Sequence, residues 1–109
     1  MLNRFEAFQF AKRFHKLCKQ LKVPKYLQDQ LLRASSSVAL NIAEGSGKRT
    51  QNDQKRFYSI ALGSLRECQA ILEIEDAGTK ETSDAADQLG AILYTLAKQH
   101  PKPNIVKPV

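Results

Sequence analysis

Apolar residues recur at steps of three and four in the first part of the chain, and the same spacing returns in three further segments. This period places the apolar side chains of each segment on one side of an α-helix. Within residues 4–21 the apolar stripe consists of Ala7, Phe10, Ala11, Phe14, Leu17, Cys18 and Leu21. The opposite side carries Lys12, Lys16 and Lys19, with Arg13 at its edge. The pattern therefore predicts a first helix with one apolar face and one basic face.

Pro24 suits the first turn of a second helix, which we predict over residues 25–44. Its core stripe consists of Leu27, Leu31, Ala34, Val38 and Ile42. A second stripe of apolar or small residues falls on the far side and consists of Leu32, Ser36, Ala39, Leu40 and Ala43. A helix with two such sides is expected to pack against other elements on both of them. Another subunit is the natural second cover in so small a domain, and a central helix in a monomer is the alternative.

Gly45 and Gly47 are predicted to end the second helix, because glycine adopts the left-handed C-cap conformation without a side-chain clash. Thr50 and Asp53 resemble a capping box that opens a third helix over residues 51–77. The core stripe of that helix consists of Phe57, Ile60, Ala61, Ser64, Leu65, Cys68, Ile71 and Leu72. Its back carries the small residues Ser59, Gly63 and Ala70, which would let another helix approach, and Arg66 interrupts them.

Gly78 is predicted to close the third helix, and residues 79–83 supply N-caps for a fourth helix that runs to about residue 99. The apolar stripe of this helix consists of Ala85, Leu89, Ile92, Leu93 and Leu96. Three of the 4 prolines lie in residues 101–109, so we predict an extended or disordered tail there. No strand alternation is evident, and the predicted fold is an all-α, antiparallel up-down four-helix bundle over residues 1–100.

The charge of the chain is unevenly distributed. The 109 residues fit one domain with a formal net charge of +6. Residues 1–56 hold 12 Lys or Arg against 4 Asp or Glu, whereas residues 57–109 hold 5 against 7. This asymmetry indicates an acidic partner, with nucleic acid as the first candidate and a membrane surface as the second. A solvated basic helix face is the alternative, and charge alone does not separate the two.

Other chemistry is poorly supported by the sequence. No segment has the roughly 18 apolar residues of a membrane span, and the N-terminus lacks a secretory apolar region, so we expect a cytoplasmic protein without a membrane partner. Cys18 and Cys68 fall on apolar stripes, which favours reduced core residues. His15 and His100 have no metal-site spacing. We therefore predict neither a metal nor a cofactor.

The glycine-rich segment at residues 45–50 resembles a phosphate-binding loop in composition but not in spacing. A P-loop has Gly, four residues and then Gly-Lys followed by Ser or Thr, after a strand. Here Arg49 follows Lys48, and Ile42 stands where the first glycine belongs. The segment instead predicts a helix stop, a basic loop and a helix start. Lys48, Arg49, Lys55 and Arg56 surround the positive end of the third helix and are candidate phosphate contacts, or else they only solubilise the loop.

Residues 31–74 resemble the signature half of the 23S rRNA intervening-sequence proteins, also called S23 proteins. The similarity is carried by Asn-Ile-Ala-Glu-Gly at residues 41–45, by Lys48 and Arg49, by Arg56-Phe57, and by Ile-Ala-Leu-Gly-Ser-Leu at residues 60–65. Members commonly have proline where this chain has Ala39, so the obligatory helix kink is removed.

This resemblance implies a four-helix bundle that assembles into a ring, often a homopentamer. Some members are encoded within insertions in bacterial 23S rRNA genes, and the accessory protein of diversity-generating retroelements is a distant relative that binds nucleic acid and a reverse transcriptase. Asn41, Glu44 and Gly45 match the motif and are expected to be structural. Glu44 is expected to form a salt bridge with a nearby Arg, to cap the turn into the loop or, at a subunit contact, to help set assembly. A general base is disfavoured, because no His, Cys or second carboxylate has a spacing that completes a site with it.

The predicted function is that of a non-enzymatic, homo-oligomeric protein that contacts the phosphate backbone of RNA or DNA. The residues assigned to this contact are Lys12, Arg13, Lys16, Lys19, Lys48, Arg49, Lys55 and Arg56. The residues assigned to the subunit interface are Leu32, Ser36, Ala39, Leu40, Ala43, Ser59, Gly63 and Ala70. The alternative is a scaffold or accessory subunit whose basic residues recognise an acidic protein. An enzyme is disfavoured, since the sequence has no clear cluster of acidic metal ligands.

Overall fold

The computed structural model describes residues 4–98, which form four α-helices joined by short connections. These are α1 (Arg4–Lys19), α2 (Lys25–Ser46), α3 (Gln51–Ile74) and α4 (Lys80–Ala97). Each helix packs against the next one along the chain, and α4 packs against α1; within the described residues no Cα atoms of diagonally opposed helices lie within 8 Å of each other. The predicted all-α, antiparallel four-helix bundle is confirmed. The predicted tail lies outside the described residues.

Most residues of the core stripes predicted from periodicity form the interior of the bundle, but Phe57 is only partly buried and Ile60 is exposed. The buried apolar residues include Ala7, Ala11, Phe14, Cys18, Leu31, Val38, Ile42, Ala61, Leu65, Cys68, Leu89 and Leu93. Ile60 was predicted to join them, and this was wrong because its side chain is 46% exposed. Tyr58, which the stripe omitted, is fully buried. Residues two apart on a helix point about 200° apart, so Tyr58 and Ile60 cannot both face the interior.

The helix starts follow the sequence more closely than the helix ends. Thr50 Oγ1 accepts a hydrogen bond from the Asp53 amide at 3.1 Å, and Thr79 Oγ1 accepts one from the Thr82 amide at 3.1 Å. Both predicted N-caps are thus confirmed. The predicted left-handed glycine C-caps are wrong. Gly47 has φ −89°, no described glycine has positive φ, and α3 ends at Ile74 rather than at residue 77.

Gly45 lies inside α2 and serves the packing of that helix against α3. A Cβ atom at Gly45 would lie 2.9 Å from Tyr58 Cε1 and 3.1 Å from Phe57 Cβ. The first distance is shorter than real Cβ contacts and the second is unusually tight, so a side chain here would force Tyr58 or the helices to shift. The position requires glycine for close approach, and the ring of Tyr58 fills the space beneath it.

A short chain of polar side chains joins α2 to α3 further along the same contact. Ser37 Oγ and Ser64 Oγ lie 3.0 Å apart. Asn41 Nδ2 donates to the Ser37 carbonyl oxygen at 2.9 Å and to Ser37 Oγ at 3.0 Å. We call the contact formed by Gly45, Tyr58 and this polar chain the α2–α3 seam. Asn41 and Gly45 are structural residues of the seam.

The two cysteines are free thiols in the core, as predicted. Cys18 lies on α1 and Cys68 on α3, and no Cα atom of α1 lies within 8 Å of one of α3. A disulfide spans roughly 7 Å at most between Cα atoms, so the bundle does not allow one between them. Burial raises the pKa of Cys18 to about 12, and burial also raises the pKa of Cys68.

The first prediction concerns the seam. We expect Gly45→Ala to lower the free energy of unfolding by about 1–3 kcal/mol, because overpacking against Tyr58 outweighs the better helix propensity of alanine. Gly47→Ala is the matched control, since a Cβ at Gly47 would have no contact closer than 3.7 Å. That variant should be as stable as the parent or more stable by up to about 1 kcal/mol, because alanine adopts the φ of −89° at this position without strain. Urea unfolding at one protein concentration measures both, and a Gly45→Ala protein as stable as the parent would contradict this packing.

The second prediction concerns the thiols. With its pKa raised to about 12, Cys18 has only about one thiolate in ten thousand at pH 8, and the thiolate is the form that reacts. The folded protein should therefore react with a disulfide reagent far more slowly than free cysteine does. Unfolding in guanidinium should release 2 reactive thiols per chain. Cys18→Ala should release one, and rapid labelling of the folded protein would show that the core opens.

Candidate nucleic-acid interface

Four of the predicted basic residues lie together at the end of the bundle where α2 stops and α3 begins. We call Lys48, Arg49, Lys55 and Arg56 the loop cluster. Arg49 and Arg56 are exposed, while Lys48 and Lys55 are partly buried. The cluster lies around the N-terminus of α3, whose helix dipole adds a partial positive charge. Backbone and side chains thus present positive charge at the same place.

The ring of Phe57 forms cation–π contacts with two of these cations. Lys48 Nζ lies 5.0 Å from the centroid of the Phe57 ring, and Arg56 Cζ lies 5.3 Å from it. Cations at these distances are attracted by the ring face. Lys48 Nζ also lies 3.2 Å from Glu44 Oε2, so Glu44 forms a salt bridge as predicted, but with a lysine and not with the expected arginine. The pair is partly exposed, and its main effect is to restrict where Lys48 points.

Gln54 connects the loop cluster to the start of α1, and sequence reasoning missed it. Its Nε2 donates to the Lys48 carbonyl oxygen at 3.0 Å, and its Oε1 accepts from Arg4 Nη2 at 3.1 Å. Arg4, also absent from the predicted set, thereby brings a further cation to this end of the bundle. A glutamine in the first turn of a helix carries no sequence signal that would distinguish it from an ordinary surface residue.

The basic residues of α1 do not all share one surface. Lys12, Lys16 and Lys19 are exposed on the outward side of α1, and we call them the α1 stripe. Arg13 instead reaches α4, where its Nη2 lies 3.0 Å from Glu81 Oε2. The predicted contact set therefore divides into the loop cluster, the α1 stripe and Arg13, whose charge is paired within the bundle.

One pair of side chains has the composition of a catalytic dyad. His15 Nδ1 lies 2.6 Å from Ser35 Oγ, and that hydroxyl donates to the Leu32 carbonyl oxygen at 3.2 Å. Ser35 is fully buried, so no substrate can reach its oxygen. Desolvation, and then the charge of Lys19, lower the pKa of His15 and favour its neutral ring. The pair acts as a link between α1 and α2.

The part of the chain that the structure describes has neither a candidate metal site nor a membrane-spanning helix. No group of three or more His, Cys, Asp or Glu side chains there could hold a metal ion. No helix over residues 4–98 is long and apolar enough to cross a membrane.

The residues predicted for a subunit interface mostly lie on the outer side of α2 and α3. Leu40 is 66% exposed, and Ala43, Ser59, Gly63 and Ala70 are also exposed, while Leu32 and Ser36 are half-buried. Ala39 is different, since it is buried in the core of its own subunit. Its assignment to the outer face was wrong, because it follows Val38 by only 100° and stays at the edge of the interior side of α2.

Comparison with known proteins relates the chain to a family. The functionally curated proteins include no match to this chain. A family model described as 23S rRNA-intervening sequence protein matches residues 5–100. The matched range takes in nearly the whole of all four helices, including the loop cluster and the α2–α3 seam. The protein belongs to the 23S rRNA-intervening sequence protein family.

Proposed function

We propose that this protein is a non-enzymatic, oligomeric protein that binds RNA or DNA through the phosphate backbone. The observation that carries the proposal is the loop cluster, which combines four cations with the N-terminus of α3 at one end of the bundle. The name of the family, which refers to an intervening sequence of 23S rRNA, agrees with a nucleic-acid partner. Binding of this kind needs no catalytic group.

The loop cluster is suited to phosphate because its cations are positioned before the ligand arrives. Lys48 is held by Glu44 and by the ring of Phe57, and the backbone beside it is held by Gln54. Ordering these groups in advance reduces the entropy lost on binding. Contacts to phosphate release condensed counterions, so the affinity should fall steeply as salt is added.

The α1 stripe extends the proposed contact away from the loop cluster. Lys12 and Lys19 are separated by about 10 Å along the helix axis. A ligand lying along α1 would meet the three lysines in succession. Several weak contacts on one subunit gain further strength when subunits are joined, because the second contact is then intramolecular.

The proposed oligomer uses the outer face of α2 and α3. The seam contact between Ser37 and Ser64, with Gly45 against Phe57, sets an antiparallel register that brings Leu40 and Ile60 to the same level. Both side chains are exposed, and Gly63 leaves open space beside them. An apolar patch next to small residues suits close packing by another copy, and we propose that the copies form a ring of five.

The third prediction tests the contact with phosphate. Three double variants change the charge by the same amount: Lys48→Glu with Arg49→Glu, Lys12→Glu with Lys16→Glu, and the control Lys22→Glu with Lys25→Glu. Fluorescence anisotropy with labelled structured RNA and duplex DNA is measured across a salt series. The first two variants should lose about tenfold or more in affinity, and each should lower the salt slope by about two phosphate contacts. The control should retain most of its affinity.

Equal losses in all three variants would show that net charge, not the assigned surface, governs binding. If the parent protein bound neither nucleic acid at low salt, the proposed function would fail. The basic residues would then be assigned to an acidic protein partner, and a pull-down that survives nuclease treatment would identify that class of partner.

The fourth prediction tests the oligomer. Light scattering at micromolar concentration should give about 61 kDa, five times the 12.2 kDa subunit. Gly63→Arg should reduce the mass towards 12.2 kDa while the helical signal is retained, because Gly63 is exposed and a Cβ added there would have no atom of its own subunit within 4 Å. Gln88→Arg, on the exposed side of α4, is the matched control and should leave the mass unchanged. A parent protein of 12.2 kDa would rule out the ring.

A further inference from the structure

The outward side of α1 combines cations with an open aromatic ring. Phe5 lies 70% exposed in the first turn of α1. At 100° per residue, Phe5, Lys12 and Lys16 fall within about 40° of one another around the helix. Phe8 lies nearby, with Lys12 Nζ 6.0 Å from the centroid of its ring. The α1 stripe therefore begins at an aromatic side chain that is open to solvent.

The residue before Phe5 links the start of α1 to the loop cluster. Arg4 is hydrogen-bonded to Gln54, which is in turn bonded to the backbone of Lys48, so the first turn of α1 is tied to the loop cluster. Phe57, beside the loop cluster, already has two cations near its ring and is partly buried. Of Phe5 and Phe57, Phe5 is thus the more open aromatic ring at the basic end of the bundle.

We propose that the outward face of α1 binds single-stranded nucleic acid, with Phe5 stacked on an unpaired base and Lys12 and Lys16 on the adjoining phosphates. This inference rests on the proposed function and names the class of its ligand. An aromatic ring beside cations is the combination that recognises single strands, because every unpaired base offers a flat face. In a duplex those faces are stacked on one another, and cations alone suffice for contact with the backbone.

The experiment compares unpaired and paired ligands. Anisotropy is measured with a labelled single-stranded RNA, a single-stranded DNA of the same sequence, and a duplex of that sequence. Phe5→Ala should weaken binding of the single strand about tenfold and leave binding of the duplex within about twofold. Phe5→Trp should restore single-strand binding. Tyr26→Ala is the matched control, since Tyr26 is 74% exposed at the opposite end of the bundle, and it should bind as the parent does.

The RNA and DNA strands identify which sugar accompanies the unpaired bases, and a Phe5-dependent affinity for either one supports the proposal. Unchanged single-strand binding by Phe5→Ala would overturn it, as would an equal loss for strand and duplex. Light scattering of Phe5→Ala is a third test. A lower mass than that of the parent would show that Phe5 contacts a second copy, and it would also overturn the proposal. If the parent binds single strand and duplex with a steep salt dependence and Phe5→Ala is neutral, only this inference fails. If the parent binds neither, the proposed function fails with it.

Discussion

The close approach of α2 and α3 at Gly45 is the contact on which both the core and the basic end of the bundle depend. Because Gly45 has no side chain, the ring of Tyr58, which is fully buried, fits directly beneath the end of α2. The next residue towards the N-terminus, Phe57, then faces the side where the loop leaves the bundle, and its ring receives Lys48. A wider separation of the helices would therefore loosen the interior and displace a cation of the proposed interface in one step.

Neutral side chains carry out most of the positioning at the basic end. Gln54 joins two otherwise separate pieces of chain, and the chain of Asn41, Ser37 and Ser64 fixes the register of the helices behind them. None of these residues would contribute charge to a ligand. Their effect is to fix the backbone that carries the charged side chains. The cations therefore stay close together at this end of the bundle despite their mutual repulsion.

Periodicity and capping chemistry were enough to predict four helices, their order and two N-caps, because these depend on residues close together in the sequence. The errors had two causes. The first is that one residue type can have two structural roles. Glycine near a helix end serves either as a left-handed cap or as a place of close approach, and only the position of Tyr58 shows that Gly45 is the second kind. Ala39 and Ile60 were misplaced because the edge of a helix face depends on where the neighbouring helices lie. Gln54 and Arg4 are 50 residues apart in the sequence, so their hydrogen bond cannot be predicted from a local pattern.

The pairing of Arg13 with Glu81 marks a boundary between two differently charged sides of the subunit. Residues 4–56 hold 12 Lys or Arg against 4 Asp or Glu, while residues 57–98 hold 3 against 7. A subunit with this charge distribution experiences a torque near a polyanion, which turns α1 and the loop towards it and α4 away. Such orientation acts before any contact forms, and it governs the rate of productive encounter more than the lifetime of the complex. In the proposed complex with nucleic acid, the acidic side of the bundle would therefore contribute to recognition without touching the ligand.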